Sequence, residues 1–164
     1  MSDRAPGLTR PESFLVYRNV DLGLVMKYPA AWQTNEQASP IGFTLVVLSP
    51  PERPTSQFRE NVVFTIQPLM APIKLDEYVA FALRQLQGSY QVGAPTPTTL
   101  ANLPARQVTY TGPLNPALPI AGKCLAVCAT KDVKAYLFSY TARAEKFDQF
   151  LATVQEMMES VDIV

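Results

Sequence analysis

Hydrophobic and polar positions along this chain follow two periods, one of strands and one of helices. Over 121–130, Leu125, Val127 and Ala129 fall on one face, with Gly122, Cys124, Ala126 and Cys128 on the other. Successive strand side chains point to opposite sides, so this strand has one bulky and one small face. A second apolar strand, 134–141, follows across a turn at Asp132. Phe147, Phe150, Leu151, Val154, Met157, Met158 and Val161 then recur at spacings of three and four, the stripe of a long amphipathic helix. That stripe needs a sheet face to cover it, and a face of small residues lets a helix approach closely.

The earlier chain adds six short strands and one helix. Runs at 14–20 and 22–28 form a hairpin about a turn-like 19–23, and Pro29 ends the second because it cannot donate to a ladder. Ala30, Ala31 and Trp32 make a short turn, with the lone tryptophan a core plug rather than a ligand platform. A polar linker leads to a near-continuous apolar strand at 42–48, which predicts burial on both faces. Residues 61–69 alternate strictly, with Val62, Phe64 and Ile66 on the drier side.

The first helix spans 75–87, with Leu75, Tyr78, Val79, Leu83 and Leu86 along one side. Asp76 and Glu77 suit its positive end and Gly88 its stop, but Lys74 stands where a capping Ser or Thr is expected. An extended piece at 90–92, a turn-rich 93–105 and a strand at 106–111 complete the set. The proline-rich stretches 49–60 and 112–119 read as surface loops, and 1–13 as a loose N-terminal arm. The order predicts one α+β domain over 14–164, with a mostly antiparallel sheet of about six or seven strands and helices packed against it.

Composition narrows the chemistry. A chain of 164 residues buries roughly two thirds of its unfolded surface in a single core. With 48% hydrophobic and 17% charged residues it is globular rather than disordered. The 14 Lys and Arg balance 14 Asp and Glu, so no overall field draws in nucleic acid or an anionic membrane. No apolar run reaches the roughly 20 residues that span a bilayer, and MSDRAPGLTR lacks the apolar core of a secretory signal. A cytoplasmic monomer without membrane insertion is expected for the chain as it stands.

Histidine is absent, which removes the usual general base, the activator of Ser or Cys in hydrolytic triads and the commonest metal ligand. The two cysteines sit four positions apart along one strand, about 13 Å at the usual rise, beyond disulfide reach. Both read as reduced packing residues, with a redox role the alternative. No GxGxxG or GxxxxGK phosphate loop occurs. Glu145, Asp148, Glu156, Glu159 and Asp162 fit a solvated helix face better than a metal site. No catalytic residue, metal site or cofactor is expected.

Two groups remain as candidates. Lys123, Lys131, Lys134, Arg143 and Lys146 gather near the last strand pair and form a candidate docking patch for an acidic protein partner, against the plain reading of surface cations. Tyr110, Tyr136 and Tyr140 (with Phe138) are candidates for lining a ligand cavity between sheet and helix, against the plain reading of core aromatics.

The order of motifs resembles the PsbP-like family. GLVMKYPAAW is similar to the glycine, strand, Tyr-Pro, Trp signature near the start of those domains. NVVFTIQPL with LDEYVAFALRQLQ resembles their next strand and first helix. TPTTLANLPARQVTYTG and KAYLFSYTARAEKFDQFLATVQEMMESVDI resemble the remainder, so the likeness runs from Phe14 to Ile163. It implies an α/β/α sandwich around an antiparallel sheet and a non-enzymatic role. Similar proteins include extrinsic lumenal subunits and assembly factors of photosystem II, envelope lipoproteins, effector chaperones and a Ran-binding import factor. The expectation is a non-catalytic binding, assembly or chaperone module with a protein partner; a small-ligand carrier is the alternative. If a targeting segment has been removed, the expected compartment becomes the thylakoid lumen or the cell envelope. The sequence departs from the photosynthetic members in lacking histidine, and with it any metal site built on that residue.

Overall fold

The computed structural model describes residues 13–40, 42–54, 58–115 and 118–164. The arm expected over 1–13 lies outside the described residues except for Ser13. The elements in order are β1 (Phe14–Asn19), β2 (Leu24–Pro29), β3 (Gln33–Ser39), β4 (Gly42–Leu48), β5 (Asn61–Pro68) and α1 (Leu75–Leu86). Then come β6 (Gln91–Val92), β7 (Thr96–Leu100), β8 (Leu103–Asn115), β9 (Leu118–Lys131), β10 (Lys134–Arg143), α2 (Phe147–Glu159) and β11 (Asp162–Ile163).

Two antiparallel sheets result. The larger has eight strands in the order β3-β4-β5-β10-β9-β8-β6, with β7 also paired to β8. The smaller is β1-β2-β11. The cysteine-bearing β9 therefore sits inside the large sheet, between β10 and β8. The arrangement is α+β: α1 packs on β8 and β9, and α2 packs on β10 and β2.

Register decides which helix takes which face. Leu125, Val127 and Ala129 pair across strands with Tyr140, Phe138 and Tyr136, and residues paired this way point to one side. That bulky face packs with Phe147, Val154 and Met157 of α2 and with Leu24 and Met26 of the small sheet in one core. Val154 and Met157 are fully buried, each contributing about 2 kcal/mol by removal from water. Trp32 is buried in this core and meets Phe150 edge-on at 5.7 Å. The small face lies under α1: Asp76 pairs with Arg106 at 3.2 Å, and Arg106 lies opposite Cys128. The closing helix thus sits on the bulky face, where large side chains interlock with its stripe, and α1 takes the face of small residues.

Several segments differ from their sequence reading. The linker at 33–39 is strand β3, with all seven residues exposed, held by its ladder to β4 rather than by burial. The turn-rich stretch contains β7, which turns into β8 through Ala101 (φ 53°) and Asn102 (φ 64°). Most of the loop expected at 112–119 is strand: β8 runs to Asn115 with a bulge near Pro113, and β9 starts at Leu118. The chain past α2 adds β11 to the small sheet opposite Leu24 and Val25. Gly23 (φ 68°) permits this closure, since a Cβ there would collide with the Val164 carbonyl oxygen, and Val164 N–H donates to the Gly23 carbonyl at 2.8 Å. Lys74 does cap α1 without a side-chain hydrogen bond.

Candidate functional site

The β9–β10 ribbon carries cations at both ends, and the structure separates them. β10 is ten residues long, which puts its ends about 30 Å apart at the usual strand rise. At one end, Lys131 pairs with Lys134 across a two-residue turn of Asp132 and Val133. Asp132 adopts a φ of 54°, a left-handed conformation that Asp tolerates better than most residues. Leu69 N–H donates to the Val133 carbonyl at 2.7 Å, which fixes the turn beside the chain leaving β5. Met70 is fully exposed and Val133 is 44% exposed, so two apolar side chains stand in water next to two lysines. Neither Lys131 nor Lys134 forms a salt bridge among the described residues.

The other end is closed on itself. Arg143 Nε donates to Glu60 Oε2 at 3.0 Å, Arg143 Nη2 to Glu60 Oε1 at 3.1 Å, and Arg143 Nη1 to Glu52 Oε2 at 3.0 Å. Backbone N–H of Arg143 also donates to Glu60 Oε2 at 3.1 Å. Glu60 is buried, and both of its carboxyl oxygens accept hydrogen bonds in this fork. Lys146 Nζ reaches Glu52 at 3.1 Å, and its hydrogen bond, followed by that of Arg143, holds the Glu52 carboxyl below the usual carboxylate range. Lys123 places its ammonium 4.5 Å from the centre of the Phe147 ring. Three of the five candidate cations are thus consumed by internal partners, and the five do not form one patch.

The three tyrosines do not line one cavity. Tyr140 pairs with Leu125 and Tyr110 with Cys124, two consecutive residues of β9, so the rings lie on opposite faces of the sheet. Tyr140 is fully buried, stacks on Phe147 at 4.9 Å and donates to the Phe147 carbonyl at 2.8 Å. Tyr136 is buried beside Phe64 at 6.4 Å. Both are core residues. Tyr110 instead meets Tyr90 edge-on at 5.2 Å and lies against the Cys124 sulfur, which also accepts from Thr141 Oγ1 at 3.6 Å.

Both cysteines are free; burial pushes the Cys124 thiol up and the Cys128 thiol to about 11. Burial likewise raises the Tyr110 and Tyr140 phenols. None of these groups is poised to ionise near neutrality. No group of three or more acidic or thiol side chains is placed to hold a metal among the described residues. No helix among them is long and apolar enough to cross a membrane. Sequence reasoning missed Glu52, Glu60, Met70 and Tyr90. The first two sit in a proline-rich stretch without periodicity, and only Met70, an apolar residue beyond a strand's end, gave any signal.

No family model matches the chain, and no curated protein matches it. Solved structures do. Cyanobacterial PsbP (CyanoP) from Synechocystis aligns with a TM-score of 0.62 at 16% identity, over 93% of each chain. LpqN of Mycobacterium tuberculosis, involved in cell envelope biogenesis, gives 0.64 at 13% identity, over 93% of this chain and 91% of its own. PA94 of Pseudomonas aeruginosa, a protein of unknown function, gives 0.58 at 12%, over 90% and 94%. Likeness at this identity speaks of fold and not of role. The antiparallel sheet, the closing helix across its bulky face and these three neighbours identify the chain as a protein of the PsbP-like fold.

Proposed function

We propose that this chain is a non-catalytic binding module that docks on an acidic surface of a larger protein through the tip of the β9–β10 hairpin. The observation that carries the reading is the pairing of unneutralised Lys131 and Lys134 with the exposed side chains of Val133 and Met70. Lysines on a rim steer encounter and set orientation, and an apolar centre supplies affinity by leaving water. A partner with carboxylates around an apolar patch complements both. The absence of histidine and the raised thiol and phenol pKa values favour binding over catalysis. The fold shared with cyanobacterial PsbP and LpqN is compatible with such a role.

The test is affinity capture from the native cell with a photo-crosslinker at Val133. The expected result is one protein crosslinked through that position, lost in Lys131→Glu/Lys134→Glu and in Met70→Asp, and retained in Lys146→Glu. Capture that survives the double charge reversal, or crosslinks that form with many proteins alike, overturns the assignment.

A further inference from the structure

A second feature, independent of the docking tip, lies on the α1 side of the sheet near the far end of the β8–β9 hairpin. Gly112 and Gly122 face each other across the two strands. A Cβ on Gly112 would overlap the Tyr90 ring, and one on Gly122 would overlap the Leu114 side chain. The two glycines leave room for these side chains to lie against the backbone, where with Tyr110, Cys124 and Thr141 they line a hollow of about 100 Å³. Cys124 is buried at its base, and the tyrosines and Thr141 are half-buried at its walls.

From this geometry we infer that the hollow is a binding site for a small neutral single-ring aromatic molecule bearing one hydrogen-bond donor. Size sets an upper limit: a closed apolar cavity of about 150 Å³ accommodates benzene, so a hollow of about 100 Å³ has no room for a second ring and takes a single ring that extends partly through its open mouth. The T-shaped Tyr90–Tyr110 pair offers a ring edge and a ring face to an aromatic guest. Neutrality follows from the lining. Lys123, a neighbour of Cys124 on β9, directs its ammonium to the Phe147 ring on the opposite face, so that charge points away from the hollow. Burial already disfavours the charged forms of Tyr110 and Cys124, and an ionic guest would meet the same penalty. The Tyr110 hydroxyl is engaged with the Cys124 sulfur and keeps acceptor capacity for one donor of the guest.

Phenol is the probe, with benzoate and cyclohexanol as the charged and non-aromatic controls, followed by amide and aromatic NMR shifts of the full chain. Saturable shifts confined to Tyr90, Tyr110, Gly112 and Gly122, with at least tenfold weaker binding of both controls, are expected. Tyr90→Ala should weaken phenol at least tenfold while the remaining spectrum stays dispersed; Tyr90→Leu replaces it if that variant does not fold. Non-saturable shifts, shifts spread over the surface, equal binding of benzoate, or unchanged affinity in the folded Tyr90 variant each overturn the inference. None of these outcomes bears on the hairpin tip, so the two readings fail separately.

Discussion

The two ends of β10 hold the same kind of residue in opposite circumstances. Arg143 meets Glu60 and Glu52, carried to it by the segment between β4 and β5, while Lys134 lies between Lys131 and Pro68 in the ladder and forms no salt bridge among the described residues. The first end is internal structure and the second is free surface. What separates them is whether another element delivers a carboxylate: Ser49 N–H donates to the Glu60 carbonyl at 2.8 Å and Arg59 Nε to the Ser49 carbonyl at 2.6 Å, which closes the neck of that segment. Cationic residues close in sequence thus divide into a staple and a contact surface.

Substitutions along β10 test this division, beginning with the largest effect. Arg143→Ala strands the buried Glu60 carboxylate, and a loss of about 3 kcal/mol is expected in urea unfolding, with the m-value unchanged. Stability within 1 kcal/mol of the parent would place that end on the same footing as the hairpin tip. Tyr140→Phe, which removes the buried bond to the Phe147 carbonyl, should cost about 1 kcal/mol in the same assay.

A smaller effect is expected from pH. The folded-state pKa of Glu52 lies below its ordinary value of 4.5, so its stabilisation is complete above that value. It is lost as pH falls through the lower folded value. The melting temperature of the parent should therefore fall more between pH 5 and pH 3 than that of Glu52→Gln; parallel curves would remove Glu52 from the staple. Smallest is Lys131→Ala/Lys134→Ala, expected to change stability by no more than about 0.5 kcal/mol, measured by thermal unfolding. A larger loss would mean that the tip is structural too.

Periodicity made the main elements legible. The α2 stripe, the two faces of β9 and the strict alternation of β5 each appear in the structure where their spacing puts them. Strands that bury little left no such pattern. β3 is polar throughout, β7 contains Pro97 at its paired edge, and β11 has two residues. Each is a strand because a neighbour offers a ladder, which is a property of the neighbour. The candidate sites were less legible, because they depend on parity and on long-range meetings. Tyr110 and Tyr140 part company through a one-residue difference in their β9 partners, and Arg143 meets Glu60 from 83 positions away.

By itself the order of apolar and polar residues determined the α+β class, the long closing helix and the strands that feed it, since burial of a face must be written as a repeat of two or three to four residues. It also determined what chemistry is missing, because a side chain that does not occur cannot act. Tertiary structure alone decided which helix covers which face, which cations find carboxylates and where two glycines open a hollow. Those outcomes follow from register and from contacts between segments distant in sequence, and neither is encoded in the spacing of any single segment.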